Sequence, residues 1–191
     1  MKSTIFFLII IFLFSLSCKK VPIKNVYNGT VKGLLFNNKS WPVPADWTAV
    51  STGGIVPISK NCFAEVGYIS VISLTSDGSI REGIGMSGLP LKTGKFNMID
   101  AIVDTITACP TKPDVVIYLY AADGDVAAGI YYPLAVADNS ITINSYDTNS
   151  GDVSGTFDIT FVKKELTAYL FPYYTDTVRF SGGMFKAKWK R

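Results

Sequence analysis

ISVISLTSDGSIREGIGMSG, residues 69–88, holds two runs of β-forming residues around a turn-forming tetrapeptide. Val and Ile recur through Ile69–Thr75 and again through Ile80–Gly88, and branching at Cβ suits an extended chain. Between them Ser76-Asp77-Gly78-Ser79 supplies residues that tolerate positive φ, so the two runs are read as an antiparallel hairpin. Side chains alternate between the two faces of a strand. Ile80, Ile84 and Met86 therefore share one face, with Arg81, Gly83 and Ser87 on the other. Glu82 falls on the apolar face.

The same grammar extends outward. Val115–Ala121 and Val126–Tyr132 flank Asp123-Gly124-Asp125, a second hairpin. Ser140–Tyr146 alternates Ile141 and Ile143 with Thr142 and Asn144. It turns through Asn149-Ser150-Gly151 into Val153–Val162, where Val153, Phe157, Ile159 and Phe161 face one way. The last run, Thr177–Trp189, carries Val178 and Phe180 inward, then Phe185, Ala187 and Trp189. The phase slips by one residue at Gly182-Gly183, which predicts a β-bulge. Lys186, Lys188 and Lys190 face outward, where they are expected to blunt an edge or solvate a face rather than bind an anion. No window repeats with a helical period. The expectation is one all-β domain over residues 30–191, an antiparallel β-sandwich with a β-barrel as the alternative.

The N-terminus is of a different kind. Lys2 is followed by IFFLIIIFLF, residues 5–14, too short for the roughly 20 residues a membrane-spanning helix needs and suited to the apolar core of a signal peptide. Ser15 and Ser17 then precede Cys18. Small residues followed at once by Cys resemble the lipobox of bacterial lipoproteins, although that family prefers Leu where Ser15 stands. The resemblance implies removal of residues 1–17, a diacylglyceryl group on the Cys18 sulfur and an acyl chain such as palmitate on the new amine. Residues 18–29 then form the lipidated Cys and a polar, basic tether. Lys19 directly after the Cys resembles lipoproteins sent on to the outer membrane. With no acidic cluster behind it, the expected position is periplasm-facing rather than surface-exposed.

Composition narrows the chemistry. The net charge of +3 comes with dispersed Lys and Arg and gives no case for nucleic acid. The chain has no His, so the commonest general base and metal ligand is missing, and no Ser-His-Asp or Cys-His arrangement can form. Gly85-Met86-Ser87-Gly88 lacks the last spacer of a nucleophile elbow. Ser17-x-x-Lys20 straddles the proposed cleavage site. Asp123-Gly124-Asp125 offers two carboxylates where calcium takes six to eight oxygens, and a turn accounts for it. Once Cys18 is given to lipid, Cys62 and Cys109 remain as an even pair in a compartment that permits disulfides. A disulfide between them is the expectation, with two separate thiols as the alternative.

Glu65, Glu82 and Glu165 are the only glutamates. Glu82 with an Asp is the one arrangement that could serve a hydrolase, but a solvated end of the hairpin, or a pairing with Lys or Arg, is the expectation for it. Trp41 and Trp47 flank Pro42-Val43-Pro44, and Tyr169, Phe171, Tyr173 and Tyr174 crowd the stretch after Leu166. Such aromatics pack under a loop or offer an open platform. Trp47, Tyr173 and Tyr174 are the ligand-binding candidates.

GDVSGTF at residues 151–157 and FSGGMF at 180–185, with VKGLLFNNKSW at 31–41 and Gly94-Lys95-Phe96, resemble a group of small β-rich lipoprotein domains of unknown function. The resemblance implies an antiparallel β-sandwich and carries no activity with it. The expectation is a non-enzymatic, membrane-anchored envelope domain without metal or cofactor that binds a carbohydrate or an envelope protein. Its alternative is a structural subunit of an envelope complex.

Overall fold

The computed structural model describes residues 29–42, 48–59, 62–100, 114–120, 127–166 and 175–189. In chain order the strands are β1 (Gly29–Lys32), β2 (Leu35–Phe36), β3 (Lys39–Ser40), β4 (Thr48–Ser59), β5 (Cys62–Leu74) and β6 (Ile80–Leu89). They continue as β7 (Gly94–Asn97), β8 (Ile99–Asp100), β9 (Asp114–Tyr120), β10 (Ala127–Pro133), β11 (Ser140–Tyr146), β12 (Asp152–Leu166) and β13 (Thr177–Lys188). Among the described residues there is no helix long and apolar enough to cross a membrane.

The pairings follow one path. β13 lies beside β1, and the ladder continues through β4, β5, β6, β9, β10 and β12, which pairs back with β13. Each of these contacts is antiparallel, and only β8 joins in parallel, beside β9. Beyond this circuit β2 and β3 extend from β13, and β11 and β7 from β12. The expected all-β antiparallel class is therefore the one the chain adopts. Sandwich and barrel meet in this arrangement, because the two packed faces belong to one continuous curled sheet, and curling hides most strand edges.

The hairpin that opened the sequence reading is present. Thr75 N–H donates to the Ser79 carbonyl at 3.0 Å and Gly78 N–H to the Thr75 carbonyl at 2.9 Å, with Gly78 at φ +83°. β5 reaches back to Cys62, further than the residue pattern marks, because its extra length pairs with β4 as far as Ser59. The bulge is present as well. Between Phe157 and Ile159 the β12–β13 register shifts, Gly182 takes φ +67°, and its N–H donates to Asp158 Oδ1 at 3.1 Å. The extra residue returns Phe185, Ala187 and Trp189 to the inside after Val178 and Phe180.

Inside the curl, Phe180 packs edge-on against Phe36, Trp41 and Phe161 at 5.2, 5.9 and 5.9 Å between ring centroids. Leu34, Phe36 and Trp41 thus enter the core from the β2–β3 hairpin and the residues beside it. At the opposite end Trp189 lies across β4 and β5. A Cβ on Gly67 would run into its indole, so the missing side chain is what lets the ring approach.

Candidate functional site

Two places stand out among the described residues, at opposite ends of the sheet. The first is built where β11 turns into β12. Tyr146 ends β11, and its ring meets Trp189 edge-on at 5.0 Å. The turn between the strands is fixed by Asp147, whose Oδ1 accepts the Asn149 N–H at 2.8 Å and the Ser150 N–H at 3.3 Å. Those backbone donors hold the Asp147 carboxyl below its usual range. Gly151, at φ +74°, accepts the Trp189 N–H at 2.7 Å and so ties the turn to the end of β13. The Trp189 indole N–H donates to the Tyr68 carbonyl at 3.0 Å, which locks the ring in place.

Ile55 from β4 and Leu91 beyond β6 complete a cleft of about 670 Å³, with Tyr146, Trp189, Thr148, Asn149, Ser150 and Gly151 around it. That volume lies within the range of small-ligand sites. Apolar and aromatic groups form the floor, and hydroxyl and amide groups form the rim. Among the described residues, no charged side chain lines it. Of the described carboxylates nearby, Asp147 is held by its own turn, and Asp152 pairs with Lys188 at 3.0 Å and accepts the Ser150 hydroxyl at 2.8 Å.

The second place is Glu82. Alternation along β6 puts it on the inner face, and it is fully buried. Ser73, opposite it on β5 and also buried, donates its hydroxyl to Glu82 Oε2 at 3.0 Å. Removal from water pushes the carboxyl up to about 8, while the Ser73 hydroxyl and the Trp41 indole N–H draw it back down. Glu82 Oε1 and Trp41 Nε1 nevertheless have no hydrogen-bond partner of proper geometry. The expectation that Glu82 is solvated or paired with Lys or Arg is thus overturned. It faces Ser73 and Trp41 inside the core, and burial makes it a neutral acid at pH 7. A hydrolase pair needs a second carboxylate across an open cleft. The side chain that Glu82 meets at hydrogen-bond distance is a serine.

The other expected residues are distributed as follows. Trp41 is core, at 7% exposure. Lys186 is exposed on the outer face, and Lys188 beside it pairs with Asp152. Cys62 opens β5 opposite Ser59. Cys18, Trp47, Cys109, Asp123, Asp125, Tyr173 and Tyr174 lie outside the described residues. No group of three or more potential metal-ligating side chains occurs among the described residues. The Tyr146–Trp189 cleft was missed by sequence reasoning, because Trp189 was counted with the core face and Tyr146 as a strand end. Its only signal was an aromatic at the end of each of two alternating runs.

Compared with family models, curated proteins and solved structures, the chain gives no match in any of the three.

Proposed function

We propose that the protein is a non-enzymatic binding domain, tethered to the outer membrane through lipid on Cys18 and facing the periplasm, with its ligand site in the Tyr146–Trp189 cleft. The observation that carries this reading is that the described residues lining that cleft carry no charge. A charged ligand would lose its hydration there without gaining a partner. A neutral ligand with one apolar face and several hydroxyls would set the face on Tyr146, Ile55 and Leu91 and its hydroxyls on Thr148, Asn149 and Ser150. Carbohydrate has this chemistry. The rigid turn at Asp147 and the fixed Trp189 ring favour binding, because little has to be ordered when the ligand arrives.

The test is titration of the protein with a panel of neutral oligosaccharides, read by tryptophan fluorescence and calorimetry. Binding by the native protein should fall at least about tenfold in Tyr146→Ala, roughly the loss of one good contact. Asn149→Ala should weaken it less. A Tyr146→Ala variant that binds as tightly as the native chain overturns the assignment of the site. An absence of binding across the panel overturns the ligand class.

A further inference from the structure

The outer face where β1, β13 and β12 run side by side differs in kind from the cleft. Register places Lys32 beside Met184 and Thr156, with Thr142 and Lys95 beyond them on β11 and β7. The next row sets Thr30 beside Lys186 and Ser154, and Lys188 follows two residues along β13. Lys32 and Lys186 are thus diagonal neighbours across a strand pair, about 7–8 Å apart. Two shallow grooves of about 240 and 450 Å³ cross this face and share Thr30, Ser154 and Lys186. Among the described residues, the first is lined by both Lys32 and Lys186 and by no carboxylate.

The acidic groups nearby are already engaged. Asp152 pairs with Lys188, and Asp158 Oδ1 accepts the Gly182 N–H. Among the described residues neither Lys32 nor Lys186 has an ion-pair partner. Two large apolar side chains stand exposed in the same area, Met184 at 54% and Leu35 at 37%. The sequence also joins its N-terminal segment here. β1 begins at Gly29, which lines the second groove, eleven residues after Cys18, and Lys19, Lys20 and Lys24 fall between.

We propose that this face of the sheet docks on an anionic phospholipid surface, with Lys32 and Lys186 on headgroup phosphates and Met184 and Leu35 set between the headgroups. Lysines beside exposed apolar side chains are the chemistry of an interfacial contact, since a phosphate layer offers charge and the acyl boundary beneath it takes the apolar groups. The inference rests on the reading of Cys18 as a lipid anchor. The anchor brings the domain within about 40 Å of the bilayer, the reach of eleven extended residues, and the face then decides how the domain lies.

The test uses the full chain, expressed with its N-terminal segment and reconstituted into vesicles of phosphatidylcholine alone or with one-third phosphatidylglycerol. After flotation, lysines are acetylated with a water-soluble reagent and quantified by mass spectrometry. In the anionic vesicles Lys32 and Lys186 should react about fivefold less than in the neutral ones, the effect of roughly one lysine's attraction to an acidic leaflet. Lys92, exposed elsewhere, should react equally in both. Protection should vanish in 0.5 M salt, where screening is strong (a Debye length of about 4 Å). Lys32→Glu should float as well as the native chain yet lose most of the lipid-dependent protection of Lys186. Equal labelling in the two lipids overturns the proposal and leaves the anchor standing. Protection that is the same with and without acidic lipid points to a protein contact and also overturns it. A chain that floats with neither vesicle refutes the anchor, and the docking face falls with it.

Discussion

Replacing Glu82 with Gln should remove most of the dependence of stability on pH between about 5 and 8. Glu82 is fully buried with its carboxyl raised from 4.5 to about 8, chiefly by desolvation. Across that window the folded chain holds a proton that the unfolded chain has released. The contribution of Glu82 is therefore most favourable below 4.5 and falls as pH rises, by about 1.4 kcal/mol per pH unit. The loss is about 3 kcal/mol by pH 7 and levels off near about 5 kcal/mol above pH 8, when the folded carboxyl ionises too. Against a total of about 5–15 kcal/mol such a slope is easily measured. Asp147 works in the opposite sense. Its carboxyl is held low, so its contribution is present above the unfolded value of 3.8 and is lost only as pH falls through the lower folded value, outside the window.

Gln keeps the shape of Glu and cannot ionise. Its carbonyl oxygen would accept from Trp41 Nε1, and its amide would donate to Ser73 Oγ. One amide hydrogen is left over in the core, at a cost of about 1–3 kcal/mol, so the net gain at pH 7 is small and the slope is the informative quantity. Urea denaturation at pH 5, 7 and 9 gives that slope from the midpoints, provided the m-value does not change. The native protein should lose stability across the series, and Glu82→Gln should stay flat to within about 1 kcal/mol. A variant that keeps the native slope would show that the slope belongs to other groups and would refute the assignment.

Other consequences are more direct. Cys18→Ala should abolish incorporation of a fatty-acid analogue and release the chain from membranes, and continued labelling would reject the lipoprotein reading. If Cys62 and Cys109 are bonded, they close a loop of about fifty residues, worth about 4 kcal/mol on the chain-entropy model, so reduction should lower the melting temperature by many degrees. Two free thiols by mass spectrometry, in protein taken from an oxidising compartment, would reject the bond. Gly182→Ala puts a side chain at φ +67° in the bulge and should cost about 1–2 kcal/mol. Gly67→Ala drives a methyl into the Trp189 indole, so it should cost at least about 1 kcal/mol and shift the tryptophan emission, which Gly182→Ala should leave alone.

How far the sequence could be read depended on which rule each element obeyed. Strand periodicity needs no knowledge of partners, and it placed β11 to the residue and the bulge to within one residue, since Ser181 and Gly182 lie opposite Asp158 while Gly183 pairs with Phe157. With the turns it also paired β5 with β6 and β9 with β10, but it could not supply the contact of β6 with β9, nor the return of β12 to β13, because pairing between distant strands is written in no local pattern. The tether and anchor rest on residues 1–28, which the structure does not describe. Glu82 shows where two local rules compete. Alternation along β6 put it inside with Ile84 and Met86, while the average behaviour of glutamate put it in water. The structure follows the alternation, since turning Glu82 outward would take a one-residue slip of β6 that also turned Ile84 and Met86 out. Exposing those two apolar side chains would cost about 3–6 kcal/mol, at least as much as the roughly 3 kcal/mol by which a buried neutral Glu82 weakens the fold at pH 7. A residue-by-residue preference is therefore a poor guide on a strand whose neighbours are already committed. The period decides the face, and the chemistry of the misplaced group, here a carboxyl that holds its proton up to about pH 8, follows from it.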